Sequence, residues 1–178
     1  MMHLPQMLII KMKQLLIVRH SKSDRNDPTL LDFDRPLNER GKKNAVEMAK
    51  RLIKQDIIPQ KLVSSPAVRA LSTAKYFADT LGIKRSEIVK VDEIYEASAS
   101  TLLKVINNLD DESDLTAIFG HNPGLSEIAT LLSDNAGLDN LPTTGMALIE
   151  FPFEKWSMVS LGTGKLLLYD FPKNTLQF

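Results

Sequence analysis

The 178-residue sequence contains no cysteine. That excludes disulfides, thiolate nucleophiles and zinc–cysteine sites together, and it fits a reducing compartment. No apolar run approaches the roughly 20 residues needed to span a bilayer. Met7–Ile10 is apolar, but lysines follow it without a small-residue cleavage site, so no signal peptide is read. An excess of charge is also missing, because 22 basic residues balance 22 acidic ones. Dedicated nucleic-acid and membrane-surface binders usually carry surplus positive charge, so neither partner is expected. There is no internal repeat, no low-complexity tract and no linker. What remains is a globular profile, 43% hydrophobic and 25% charged, of a length that suits one domain with a sizeable core. Residues 1–11 read as a loosely attached extension, residues 12–178 as a single domain, and the expected location is cytoplasmic.

Short apolar runs alternate with helical patterns along the chain. Leu15–Val18 reads as a buried strand. Ser21–Pro36 is polar, holds two prolines and reads as a long loop. Asn38 then caps a helix whose buried face carries Ala45, Met48, Ala49, Leu52 and Ile53. Lys61–Ser64 is a second strand. Pro66 fits the first turn of a helix that runs to about Leu81, where Gly82 stops it. Glu87–Val91 reads as a third strand, and a helix capped by Ser98 or Ser100 follows to about Asn108. Leu115–Gly120 is a fourth strand and Leu125–Leu132 a short helix. Met146–Phe151 and Lys165–Phe171 look like an antiparallel pair, because no helix lies between them. The pattern predicts a three-layer α/β/α sandwich: a mostly parallel central sheet with an antiparallel edge pair near the C-terminus.

Open parallel sheets bind ligands outside the carboxyl ends of their strands. The first strand ends in Arg19-His20. The second delivers "SSPAVRA", with Arg69 about one turn into the next helix. The fourth delivers "GHNPG", with His121. Two of the three histidines therefore sit just past an apolar strand. A lone histidine there is ordinarily a loop residue, and a lone helical arginine a solvated charge. Two of each at three strand ends form a joint pattern that such readings do not cover.

The chemistry open to this set is restricted. Guanidinium groups match phosphate oxygens bidentately. A helix N-terminus near Pro66–Val68 adds backbone donors to the same anion. A neutral imidazole is a competent nucleophile, and a second one can stabilise the phosphoryl oxygens. The set predicts phosphoryl transfer through a phosphohistidine. No cofactor is called for, and no side-chain cluster has the spacing of a metal site.

The segments "LIVRH", "DFDRPLNERG", "LVSSPAVRALSTA", "IYEAS" and "GHNPGLSEIA" resemble the histidine phosphatase superfamily (phosphoglycerate mutase-like). They are most similar to its small branch of SixA-type phosphohistidine phosphatases, from about Leu15 to Phe171. The resemblance implies that His20 is the nucleophile that becomes phosphorylated. It implies that Arg19 and Arg69 grip the phosphate and that His121 is the second histidine of its pocket. Arg35, in "DRPL", matches a further arginine near the phosphate. Asn26 falls where the wider superfamily often has a phosphate-contacting asparagine. Two positions depart from the pattern: Ser21 stands where glycine is usual, and Arg25 where the small branch often has an aromatic residue.

Cleavage of an ester needs a proton donor for the leaving oxygen. Glu96 in "IYEAS" and Asp24 are the candidates, while a phosphohistidine substrate would relax the demand. The expected function is a metal-independent phosphatase acting through phospho-His20, with phosphohistidine in a protein as substrate. The alternative is a small phosphorylated metabolite, whose second anionic group would suit Lys22, Arg25 and Arg35. A binding module without turnover is disfavoured, because both histidines and both main arginines are present.

Overall fold

The computed structural model describes residues 11–175. The expected N-terminal extension, Lys11 apart, lies outside the described residues. Six strands form one sheet: β1 (Lys13–Arg19), β2 (Lys61–Ser64), β3 (Val89–Lys90), β4 (Leu115–Gly120), β5 (Met146–Phe151) and β6 (Lys165–Asp170). Four α-helices cover it: α1 (Glu39–Lys54), α2 (Val68–Leu81), α3 (Ala99–Asn107) and α4 (Gly124–Ser133). The spatial order is β3-β2-β4-β1-β5-β6. Strands β3, β2, β4 and β1 are parallel, while β5 is antiparallel to both β1 and β6. The sheet is therefore the expected mixed one, with its reversed pairings at the β5–β6 side. No helix among the described residues is long and apolar enough to cross a membrane.

The two-residue period of β1 divides the core. Leu15 and Ile17 pack with Leu102, Ile106, Leu125, Ile128 and Leu132 under α3 and α4. Leu16 and Val18 pack with Met48, Leu52, Ala74 and Phe77 under α1 and α2. Each large apolar side chain buried this way contributes about 1.5–3 kcal/mol. Continued one step, the same alternation sends Arg19 and His20 to opposite faces at the strand's carboxyl end.

Local sequence signals account for most element ends. Asn38 accepts from the Gly41 N–H at 2.8 Å, and Ser98 accepts from the Thr101 N–H at 3.2 Å, so both cap their helices. Gly82 closes α2 with φ +75°. Four readings need correction. Pro66 lies before α2, where the Ser65 hydroxyl accepts from the Ala67 N–H at 3.2 Å and turns the chain into a helix starting at Val68. The third strand contracts to Val89–Lys90, because β3 is an edge strand paired only with Val63 and Ser64, and Arg85–Glu87 winds into a 3-10 turn. Ile53 is 45% exposed, since it stands about 100° round the helix from Leu52. The segment 21–36 is more than a loop: Ser23 bridges Leu37, and Asp32–Asp34 forms a 3-10 turn.

Candidate active site

The carboxyl ends of β1, β2 and β4 open into a cavity of about 670 Å³ whose lining includes Arg19, His20, Arg35, Arg69, Glu96 and His121. Strand β1 carries its ladder one residue past its end: the His20 N–H donates to the Gly120 carbonyl at 3.0 Å. The ring is fixed from both sides. Its Nδ1 lies 2.8 Å from the Ser21 carbonyl oxygen, and its Nε2 lies 3.3 Å from Arg69 Nε. A carbonyl only accepts and a guanidinium only donates, so the proton sits on Nδ1 and the Nε2 lone pair accepts from Arg69. Burial, joined by the charges of Arg69, Arg19 and Arg35, outweighs the Ser21 carbonyl and lowers the His20 pKa to about 4. His20 is thus neutral at neutral pH, the state a nitrogen nucleophile needs.

His121 faces His20 with ring centroids 5.3 Å apart. Its Nε2 is 2.8 Å from the Ser65 hydroxyl, while its buried Nδ1 has no hydrogen-bond partner among the described residues. Burial, and then the Arg69 charge, lower its pKa to about 3. Tyr95 packs edge-on against the ring at 5.6 Å.

The arginines are anchored differently. Arg19 donates from Nη1 to the Leu141 carbonyl at 2.7 Å, and its buried Nε has no partner among the described residues. Such unsatisfied buried donors are costly unless another group meets them, and an oxyanion in the cavity would do so. Arg69, 5% exposed, donates to Asp32 twice: from Nη1 to the backbone carbonyl at 2.5 Å and from Nη2 to Oδ2 at 2.9 Å. Arg35 pairs with the other oxygen of the same carboxylate and reaches the Ser23 hydroxyl at 3.3 Å.

Behind the histidine a hydroxyl network holds the turn. Ser21 is fully buried; its N–H donates to Thr73 Oγ1 at 2.9 Å, and its hydroxyl accepts from Thr144 at 2.7 Å. A serine in place of glycine is thus accommodated by hydrogen bonds. Two glycines inside the quoted motifs allow close backbone approach. A Cβ at Gly41 would lie 2.2 Å from the Lys22 carbonyl oxygen, and one at Gly124 would lie 2.1 Å from that of Ala97. They let α1 and α4 seat against the segments that follow His20 and Glu96.

The fold brings Arg19, His20, Arg35, Arg69 and His121 together, with Glu96 on the exposed wall of the same cavity. Glu96 has φ +53°, a left-handed conformation that costs a non-glycine residue about 1–3 kcal/mol. Asn26 is placed elsewhere. Its N–H donates to the Asp24 carboxylate at 2.9 Å, and both residues line a neighbouring depression with Asn38, Arg40 and Tyr76. The Ser23–Leu37 bridge turns the segment that way. Asp24, the second acid candidate, leaves the cavity with it.

Sequence reasoning missed Asp32, Tyr95 and Ser65. The signal for Asp32 was present as the three-residue spacing in "DFDR", which a 3-10 turn puts on one side. Lys22 and Arg25 line the mouth, as does Glu127 from the first turn of α4. No group of three or more His, Asp and Glu side chains that could hold a metal occurs among the described residues.

Residues 15–112 match the family model of the histidine phosphatase superfamily (branch 1). A chloroplastic protein of Arabidopsis thaliana, described as uncharacterized, is 30% identical over 152 residues, which are 81% of this chain and 69% of that protein. A solved structure from Agrobacterium tumefaciens, provisionally named phosphohistidine phosphatase SixA, superposes with a TM-score of 0.75 at 26% identity, over 90% of this chain and 98% of that one. A protein histidine phosphatase SixA complexed with tungstate gives a TM-score of 0.75 at 20% identity, over 89% of this chain and 96% of that one.

Proposed function

Because the chain belongs to the histidine phosphatase superfamily (branch 1), we propose that it is a phosphatase that transfers a phosphoryl group to His20 Nε2 and then to water. One observation carries the reading. The His20 ring is held in its Nδ1–H form by Ser21, with Nε2 turned to Arg69 in a cavity that also holds Arg19, Arg35 and His121. The nucleophile, the guanidinium grip and a second imidazole for the transition-state charge are thus in one place. The proposed substrate is phosphohistidine in a protein, as the name of the Agrobacterium tumefaciens relative suggests. Residues 12–178 act as the catalytic domain of a cytoplasmic enzyme in this reading.

A second reading, a phosphatase of small phosphorylated metabolites, is supported by Lys22 and Arg25 at the mouth, which suit a second anionic group.

Brief exposure to a labelled phospho-donor tests the chemistry. The wild type should give an acid-labile, alkali-stable adduct and His20→Ala none; equal labelling of the two would remove His20 as nucleophile. Turnover of a phosphohistidine peptide against a panel of phosphate esters then separates the two substrate readings.

A further inference from the structure

One carboxylate in the cavity is neither nucleophile nor acid candidate, yet it meets three of the groups that shape the phosphate site. Asp32 Oδ1 pairs with Arg35, and Oδ2 accepts from Arg69 Nη2 at 2.9 Å and from the Tyr95 hydroxyl at 3.0 Å. The Asp32 carbonyl takes Arg69 Nη1 at 2.5 Å. Burial alone would raise its pKa, but hydrogen bonds from Arg35, Tyr95 and Arg69 prevail and hold it at about 2. Asp32 is therefore ionised throughout the neutral range.

A guanidinium offers two usable edges: the Nη1–Nη2 fork and the Nε–Nη2 side. In Arg69 the fork is taken by Asp32, and Nε points at His20 Nε2. A phosphoryl group between His20 and Arg69 would meet the Nε side, leaving the fork in place. Arg69 is nearly all buried, whereas half of the Asp32 side chain is exposed. The carboxylate thus neutralises a buried cation from the solvent side and leaves the inner edge open. We propose that Asp32 is the positioning residue of the site: it clamps the outer fork of Arg69 so that the Nε edge faces the atom that attacks phosphorus. Its bonds to Arg35 and Tyr95 place a second arginine and the ring against His121 in the same frame. The proposal rests on the reading of His20 as nucleophile.

Asp32→Asn keeps the shape and one acceptor but removes the charge and the paired acceptance. Three readouts are made on the full chain: turnover, binding of inorganic phosphate, and the nitrogen resonance of His20 Nε2. A positioning role predicts a fall in kcat of about tenfold or more, with phosphate affinity changed far less. It also predicts that the Nε2 resonance moves toward that of an imidazole nitrogen without a donor. The opposite outcome, phosphate bound about tenfold tighter with kcat kept, would make Asp32 an internal competitor for the anion and overturn the proposal. An unchanged Nε2 resonance also overturns it, and because it needs no turnover it holds even if catalysis is lost through unfolding elsewhere. The functional reading fails separately, by the absence of a wild-type adduct on His20. Asp32→Ala, with only the backbone carbonyl left to accept from Arg69, should be worse than Asn in kcat; equality with wild type in both variants sinks the assignment.

Discussion

Arg69 Nε and His20 Nε2 stand 3.3 Å apart as donor and acceptor. The contact gives the imidazole a defined proton and a defined direction before any substrate arrives. In the proposed reaction a phosphoryl group entering the cavity would replace this bond with one to its own oxygen, so the arginine that marks the lone pair would also meet the charge that develops beside it.

The tautomer is directly measurable. Nitrogen NMR should show His20 neutral with its proton on Nδ1 at pH 6.5, the ordinary histidine value, and charging only towards about 4. A half-protonated ring at pH 6.5 would contradict the burial and the three arginine charges that lower it.

Acid stability should follow from the same burial. The folded pKa values are about 4 for His20 and about 3 for His121, against 6.5 for a free histidine. As pH falls below 6.5, the unfolded chain takes up these protons before the folded one does, so stability declines with falling pH. The loss is absent above 6.5 and complete below about 3. Replacing both histidines with glutamine should flatten melting temperature against pH across that window. An equally steep profile in the double variant would assign the acid loss to other groups.

Arg69→Ala should cost about 2–4 kcal/mol of transition-state stabilisation, by analogy with removal of a preorganised donor. Arg69→Lys keeps the charge but loses the two-edged geometry, so it should recover little of that loss. The ratio of kcat/KM values reads the difference, and full rescue by lysine would mean that a point charge suffices.

Glu96→Gln separates ester from phosphoramidate chemistry. Loss of a general acid costs about 10²–10⁴-fold, and it should fall on phosphate esters while sparing a phosphohistidine peptide. A variant that keeps full rate on every ester would strike Glu96 from the acid role.

Gly124→Ala tests the seat of α4. The new Cβ would lie 2.1 Å from the Ala97 carbonyl oxygen, a backbone atom that cannot rotate away. Overpacking of this kind costs about 1–3 kcal/mol, read as a shift in the denaturation midpoint. Gly82→Ala is the control, with φ +75° but open space around it, and it should act through backbone strain alone. Equal effects at the two sites would mean that the Ala97 contact yields.

Much of this molecule was legible in the chain because its signals are local. The run Leu115–Gly120 is a strand to the residue, and Asn38, Ser98 and Gly82 mark helix ends by their own chemistry. His20, Arg69 and His121 were found because strand ends converge by rule. Asn26 was not, since its position depends on how segment 21–36 folds back through the Ser23–Leu37 bridge, a contact that no periodicity announces. Lys13 escaped for a similar reason. Its ammonium is 1% exposed and bonds the Asp111 and Ser113 carbonyls and the Asp114 carboxylate, about a hundred residues away in sequence. Asp32 was missed because its partners Arg69 and Tyr95 come from two other segments and meet it only in the folded chain.

The alternation along β1 has an evolutionary corollary. Arg19 and His20 leave one strand toward opposite faces, so deletion of a single residue within Lys13–Arg19 would exchange their sides and also swap the flanking apolar residues between the two halves of the core. The pair therefore tolerates no sliding, and its spacing is frozen by the core beneath it. The walls are free of that constraint. Segments 21–36 and 92–98 join elements without belonging to the sheet, so diversification of what enters the pocket is expected to accumulate there, at no cost to the strand that holds the chemistry.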